Sequence, residues 1–326
     1  MSFSATAIAA ALKRPTNPHP FGEERALARW ASLLAEPFLD FAGMRDGEDV
    51  LDVGCGAGRL SLRVVTQNTL RSITGLDDDE EKIRLARMQF GGRGATFWAS
   101  RPDAMPFTNG QFDRVLSLIS LQASPASPMR TVREMRRVAR PGGTVAAAVW
   151  DLRGGILAHR MFWDTAAAID AEGLFLRSRE LNRAFGQPGE LGAAFRAVGL
   201  EAVREANLMI RMSFTGFDDF FQPFCVPGGV AATFLDQLRD ERRALFTQKL
   251  RLAYLDGERD GPRSYVAVAF AATGTAPATA SLAVPAGAND PEPALPAMAQ
   301  APTAPKTETG ATEAAAEAGG TEGALV

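Results

Sequence analysis

Three glycines at alternate positions close a short apolar run in Val50-Leu51-Asp52-Val53-Gly54-Cys55-Gly56-Ala57-Gly58, and this segment constrains the fold more than any other. Asp49 to Val53 has the length and composition of a buried strand, and Leu60 to Val65 follows with helical spacing. Glycine between them lets the backbone turn sharply and approach a ligand without interference from a Cβ. A strand, a tight turn and a helix are therefore expected in that order.

The alternation continues along the chain. Ser72 to Leu76 reads as a second strand, and Asp78 with Glu81 three residues on has the form of a capping box opening a helix from Glu80 to Phe90. Ala95 to Ala99 and Phe112 to Ile119 are predicted strands. A helix follows from about Ser127 to Ala139, and Pro141-Gly142-Gly143 turns the chain into a fifth strand, Thr144 to Trp150. Such an order predicts right-handed crossovers and an α/β, doubly wound, mostly parallel sheet. Ligands of such sheets bind beyond the carboxyl ends of the strands, at the switch point beside the first strand.

The later part is organised differently. Residues 152–185, with Met161, Phe162, Trp163, Leu174, Phe175 and Leu176, are read as a helical cap inserted over the strand ends. Helices at Pro188 to Val198, Phe217 to Phe224 and Thr233 to Leu252, and strands at Leu200 to Phe214 and Tyr265 to Ala271, bring the sheet to seven strands, the last antiparallel beside the fifth. The spacing of Phe214, Phe217, Phe220, Phe221 and Phe224 suits either a core stripe or an apolar pocket wall. A helix from Gly22 to Phe41, carrying Trp30 and Phe38, is placed to close over the site. Lone residues such as His159 and Cys225 are read as structural.

Composition bounds the alternatives. Of 326 residues 46% are apolar and 22% charged, a globular balance with room for one large core. From Ala272 the chain holds no aromatic residue and is mostly Ala, Pro, Gly, Thr and Glu; residues 272–326 read as a disordered tail after a domain of 1–271, with its core at 44–150 and distal elements at 186–271. The tail has six acidic residues against Lys306, which leaves 34 basic and 32 acidic residues in 1–271, too even a balance for a nucleic-acid partner. No stretch approaches the roughly 18 consecutive apolar residues of a membrane span. Two cysteines and two histidines cannot build a disulfide framework or a zinc cluster, so no metal is expected. No signal peptide is read at Met1 to Leu12, and a cytoplasmic setting is expected.

A glycine loop alone is weak evidence, and a tight structural turn is its plain alternative. Here the spacing is G-x-G-x-G, Arg59 stands where a dinucleotide fold places its third glycine, Asp52 precedes the loop, and Asp77 ends the second strand about twenty residues on, where an acid can accept from ribose hydroxyls. With these residues the chain resembles the class I S-adenosylmethionine-dependent methyltransferases, in the type 11, quinone-biosynthesis-like, small-molecule branch. The resemblance is carried by VLDVGCGAG (Val50 to Gly58), GLDDDEEKIRLAR (Gly75 to Arg87), MPFTNGQFDRV (Met105 to Val115) and EMRRVARPGG (Glu134 to Gly143). It implies a Rossmann-like methyltransferase fold with S-adenosylmethionine as cofactor. Gly54, Cys55 and Gly56 would meet its methionine and ribose part, Asp52 its amino end, Asp77 the ribose hydroxyls, Asp78 the adenine edge, and the backbone at Ser117 and Leu118 the methionine portion.

Two departures from that family stand out. The family's usual G-D-A-x-x-L-P-F before the fourth strand is matched by Ser100 to Phe107, where Arg101-Pro102 replaces D-A and offers neither a carboxylate nor an N–H, so Asp103 and Ala104 are expected to serve adenine in a re-registered loop. A segment commonly ending in histidine reads Ile119-Ser120-Leu121-Gln122-Ala123, which makes Gln122 the one, weak, candidate at the transferred methyl group. The expected function is methyl transfer by in-line displacement to a small-molecule, apolar acceptor; a non-catalytic S-adenosylmethionine-binding scaffold is the alternative. A nicotinamide oxidoreductase fits the glycine spacing poorly. Ser117-Leu118-Ile119-Ser120 lacks the N/D/S-P-P-aromatic segment of nucleic-acid amino methyltransferases.

Overall fold

The computed structural model describes residues 22–90, 94–123 and 126–278. In chain order these form α1 (Gly22–Ala42), β1 (Asp49–Val53), α2 (Arg59–Gln67), β2 (Ser72–Asp77), α3 (Glu80–Phe90), β3 (Ala95–Ala99), β4 (Phe112–Leu118), α4 (Pro128–Val138) and β5 (Ala139–Trp150). Then follow α5 (Leu157–Ile169), α6 (Ala171–Leu181), α7 (Glu190–Ala197), β6 (Glu201–Phe214), α8 (Phe217–Phe221), a 3₁₀ turn (Gln222–Cys225), α9 (Val230–Gln237), α10 (Asp240–Leu255) and β7 (Arg263–Thr275).

Seven strands make one sheet in the order β3-β2-β1-β4-β5-β7-β6, with β7 antiparallel to both neighbours and β1 to β5 parallel. Both faces are covered, so apolar residues occupy both faces of the central strands. Val50, Leu116, Ala146 and Ala148 join one core with α1, α2, α5 and α10, while Leu51, Val53, Val115, Val145 and Val149 join the other with α4 and α7. The sheet order reverses between β1 and β4, and the carboxyl ends of these two strands frame the crevice expected at a switch point. Since β6 is antiparallel to β7 and β7 to β5, the end of β6 at Phe214 returns to that same edge of the sheet.

Several boundaries differ from the sequence reading, each for a local reason. Helix α3 is capped by Asp79, not Asp78: its Oδ1 accepts from the N–H groups of Glu81 (2.9 Å) and Lys82 (3.2 Å). Strand β5 begins at Ala139, ahead of the Pro-Gly-Gly turn, because the register jumps from Phe112↔Ala139 to Arg114↔Thr144 and Arg140 to Gly143 bulge out. A Cβ at Gly143 would stand 2.8 Å from the Arg140 carbonyl, so this bulge requires glycine. Thr233 to Leu252 is two helices, parted by extended Leu238 and Arg239. The helix expected through Phe224 stops at Phe221 and tightens into a 3₁₀ turn at Pro223, which lacks an N–H.

The largest correction concerns the tail. Ala272 to Thr275 belong to β7 and pair with Ala147 to Thr144, and Ala276 is buried, with its N–H on the Gly143 carbonyl. Alanine and glycine are small enough to pass between β5 and β6 here, and composition cannot distinguish that from an unpaired segment. The remainder of the expected tail lies outside the described residues.

At the opposite edge of the sheet the Arg114 guanidinium, 4% exposed, holds Glu48 through two bonds (2.7 and 2.6 Å) and also donates to the Ala42 carbonyl, tying the end of α1 to β4. Arg114→Ala leaves Glu48 half of a broken buried pair and is expected to cost about 3–5 kcal/mol in urea unfolding. A chain ending at Ala271 is expected to melt several degrees below one ending at Ala278, because only the former loses paired strand residues; equal melting temperatures would show that 272–275 add nothing to the sheet.

Candidate functional site

The loop after β1 takes the left-handed conformation at Gly54 (φ +70°), Gly56 (+52°) and Gly58 (+82°). Gly54 and Cys55 both donate to the Leu76 carbonyl, at 2.7 and 3.0 Å, which folds the loop over the end of β2. A Cβ on Gly54 would lie 2.1 Å from the Cβ of Ser120, so this glycine is needed both for its dihedrals and for the closeness of Ser120. Ser120 donates its hydroxyl to the Val53 carbonyl (2.9 Å) and lies 2.6 Å from the Ser117 hydroxyl, which stitches the end of β1 to the turn after β4. That turn depends on Ile119 at φ +63°, a position that disfavours a β-branched residue and that no sequence signal marks.

Two carboxylates flank the loop. Asp52 is 1% exposed and accepts from the Ser61 hydroxyl (2.6 Å); burial, aided by the negative charge of Asp77, pushes its carboxyl up from 3.8 to about 7. Asp77 accepts from the Gly56 N–H (2.9 Å) through one oxygen and from the Asp79 N–H (3.0 Å) through the other, so it braces the loop that it was expected only to face. Cys55 is buried beside both acids, and its thiol is held well above the ordinary range by burial and their charges, which makes it inert as a nucleophile.

A cavity of about 640 Å³ opens at this loop. Asp52, Gly54, Cys55, Gly56 and Leu118 line it at the sheet edge, and Trp30 and Ala35 of α1 close one side, as expected for that helix. Its far wall comes from the cap and the end of β6: Ile156, His159, Met212, Phe214, Phe220 and Phe224. The five-phenylalanine group thus divides. Phe214, Phe220 and Phe224 face the cavity, whereas Phe217 stacks on Phe221 (centroids 5.5 Å apart) and meets Tyr254 edge-on in the core. A smaller cavity shares Gly54, Lys82 and Ala123 with the first and is lined by Asp77, Asp78, Pro102 and Leu121.

Two expectations are corrected. Asp103 does not reach either cavity: its side chain is 3% exposed and is gripped by both arms of Arg101, Nε at 2.9 Å and a terminal nitrogen at 2.8 Å, with the Ser127 N–H at 3.4 Å. That guanidinium holds the Asp103 carboxyl below its ordinary range. Arg101, its side chain mostly exposed, clamps Asp103, and Pro102 is the residue of this loop that lines the smaller cavity. Gln122 lines the large cavity, but its amide is occupied with the backbone of Trp150, donating to the carbonyl (3.1 Å) and accepting from the N–H (2.9 Å). It fixes the end of β5. His159, read as a structural residue, is buried and accepts from Trp163 Nε1 (3.0 Å), yet it also lines the cavity. Cys225 is half-buried, and burial raises its thiol to about 11. Among the described residues no three His, Cys, Asp or Glu side chains cluster as a metal site, and no helix is long and apolar enough to cross a membrane.

Residues 51–147 match the model of a methyltransferase domain family. An uncharacterized protein of Mycobacterium tuberculosis is 33% identical over 136 residues, 41% of this chain and 48% of that protein. The chloroplastic 2-methyl-6-phytyl-1,4-hydroquinone methyltransferase 2 of rice, Oryza sativa, is 29% identical over 170 residues, 51% of this chain and 47% of that enzyme. The chain thus spans about half the length of the curated relatives it matches. Among solved structures, the YcgJ protein of Bacillus subtilis superimposes with a TM-score of 0.50 at 17% identity, covering 75% of this chain and 98% of its own, a likeness of fold alone. The switch-point loop and its two acids, on a sheet of order β3-β2-β1-β4-β5-β7-β6, fall within the segment that matches the methyltransferase domain model, so residues 51–147 resemble a methyltransferase domain.

Proposed function

We propose that this chain transfers the methyl group of S-adenosylmethionine to a small, largely apolar acceptor in a cytoplasmic setting. The observation that carries the proposal is the continuity of one cavity from the glycine loop to an aromatic wall, which gives cofactor and acceptor a common space. The loop suits the cofactor on two grounds: three left-handed glycines leave its backbone uncovered, and the two acids flanking it are the groups that suit an ammonium and a ribose diol.

S-adenosylmethionine, when bound, supplies a sulfonium methyl that an acceptor nucleophile displaces in line. Such a step needs alignment and exclusion of water more than an acid or base. In this reading Gly54 to Gly56 hold the methionine and ribose part, Asp77 accepts from the ribose hydroxyls, Asp52 faces the amino end, and Leu118 borders the methionine portion. Asp78 and Pro102 border the adenine. Helix α1 and the cap keep water from the cavity, and the aromatic wall orients the acceptor. The scaffold alternative is favoured by one observation, the closing of Asp103 by Arg101, which leaves the adenine amino group without the carboxylate partner the resemblance leads one to expect.

Calorimetry with S-adenosylhomocysteine tests the reading. Micromolar binding is expected, with no competition by NADH, and Gly54→Ala is expected to abolish it by driving a Cβ into Ser120. Asp77→Ala should lose at least about 1.5 kcal/mol, a charge-assisted acceptor being removed. Asp103→Ala and Arg101→Ala should each change affinity less than about twofold, since a paired group outside the cavity makes no contact to lose. Strong NADH binding with no response to S-adenosylhomocysteine would reject the cofactor.

The raised carboxyl of Asp52 gives a pH signature. Because the folded chain holds that proton more tightly than the unfolded one, Asp52's contribution to stability falls as pH rises from near 4 through about 7. An ammonium beside it favours the ionised form, so S-adenosylhomocysteine affinity is expected to rise about tenfold between pH 6 and pH 8 as the carboxyl ionises. Asp52→Asn should flatten that slope; an unchanged slope would place the titrating group elsewhere.

A further inference from the structure

Two residues that line the large cavity each carry a buried N–H with no hydrogen bond of ordinary geometry. Trp150, at the end of β5, is 2% exposed, and its indole Nε1 makes no hydrogen bond. An indole nitrogen is a donor only, so no rotation or tautomer can relieve it. The backbone of the same residue is held at both its N–H and its carbonyl by Gln122.

His159, on α5, is the second. Its Nε2 accepts from Trp163 Nε1 at 3.0 Å, and a neutral imidazole that accepts at Nε2 carries its proton on Nδ1. Nδ1 makes no hydrogen bond of ordinary geometry, and the Leu152 carbonyl engages the ring only weakly. Burial first, then the charge of Arg183 and more weakly that of Arg160, pull the ring down to about 3, against the opposing influence of the Leu152 carbonyl and Asp164. The ring is therefore neutral at ordinary pH and its Nδ1–H is permanent. Arg183, which lines the same wall, is paired with buried Glu180.

Buried polar groups are almost always satisfied, and in this conformation neither nitrogen is exposed or paired within ordinary hydrogen-bond geometry. Two orphaned donors in a wall otherwise built of Ile156, Met212, Phe214, Phe220 and Phe224 mark where a ligand's acceptor belongs. We infer that the methyl acceptor is an apolar molecule bearing a hydrogen-bond-accepting oxygen, and that Trp150 Nε1 and His159 Nδ1 donate to that oxygen and orient it. The oxygen reaches them through small rotations of wall side chains as the cavity fills. This rests on the methyl-transfer reading for the identity of the occupant, though not for the chemistry of the wall.

The test uses two probes of one shape on the full chain, with and without S-adenosylhomocysteine: 2-acetonaphthone, which has a ketone oxygen, and 2-ethylnaphthalene, which has no acceptor. Binding is followed by displacement of the neutral dye N-phenyl-1-naphthylamine. The ketone is expected to bind about tenfold more tightly than the hydrocarbon, the scale of a buried hydrogen bond. Trp150→Phe and His159→Phe should each reduce that ratio and the double variant should bring it to one, with hydrocarbon affinity held within about threefold as evidence of an intact cavity. His159→Asn, which restores an amide N–H near the Nδ1 position, should retain the preference, separating donation from packing. A ratio of one in the parent chain, an undiminished ratio in the double variant, or failure of both probes to displace the dye overturns the inference. Failure of S-adenosylhomocysteine to bind while the ratio stands would reject the cofactor reading and leave the donors assigned.

Discussion

The close approach of Gly54 to Ser120 is the contact on which the rest of the site depends. It sets the distance between the ends of β1 and β4, and both partners reach it through backbone that is left-handed or adjoins a left-handed residue: Gly54 itself, and Ile119 just before Ser120. Glycine adopts that region freely, whereas an isoleucine there costs about 1–3 kcal/mol. The cost is met by bonds that only this turn allows, from Ile119 N–H to the Ala148 carbonyl (2.8 Å), from the Ser120 hydroxyl to Val53, and from Gln122 to both backbone groups of Trp150. Three adjacent strands are thereby fixed at their carboxyl ends by one strained turn.

The same turn explains how two carboxylates share the space above β1 and β2. Asp77 is engaged on both oxygens by backbone N–H groups of the loop and of the start of α3, so its charge is used to hold the glycine loop down. Asp52 has a serine hydroxyl and little else, lies almost wholly buried, and feels Asp77 as a like charge. Two acids placed by neighbouring strands thus end in different electrostatic states, one committed to structure and one held near its titration point where a cation from a ligand would decide its charge.

The strand-loop-helix frame was legible in the sequence because its signals are local. Glycines at 54, 56 and 58 occupy left-handed positions that few other residues tolerate, and apolar runs such as Val50 to Val53 are dense because both faces of the strand are covered. What stayed hidden depends on side-chain pairing across the fold. Arg101 and Asp103 read as a lost and a replacement adenine contact, yet two residues so close in sequence neutralise one another, and no pattern announces a clamp of that span. Gln122 offered an amide of the right kind in the right loop, and only the position of Trp150 shows where that amide is engaged. The end of the last strand was missed because Ala272 to Thr275 carry no bulk, which is the property that lets them lie buried between β5 and β6.

The aromatic wall turns on a single proline. From Phe217 the helical period would carry Phe220 and Phe221 onto one face and Phe224 beside Phe217; Pro223 tightens the chain into a 3₁₀ turn instead, and Phe224 stacks flat on Phe162 of the cap at 4.4 Å. Phe162 in turn meets Phe246 of α10 at 5.0 Å, while Trp30 of α1 meets Phe214 at 5.3 Å. The far side of the cavity is therefore a continuous set of ring contacts linking the cap, the end of β6 and the first helix. In the proposed methyl transfer, a displacement with no demand for an acid or base would gain most from such a wall, since ring packing would fix the position of an apolar acceptor while the glycine loop would fix the donor. On this account selectivity resides in the shape of the aromatic wall and in the few polar atoms set within it, and the chemistry resides in the loop across from it.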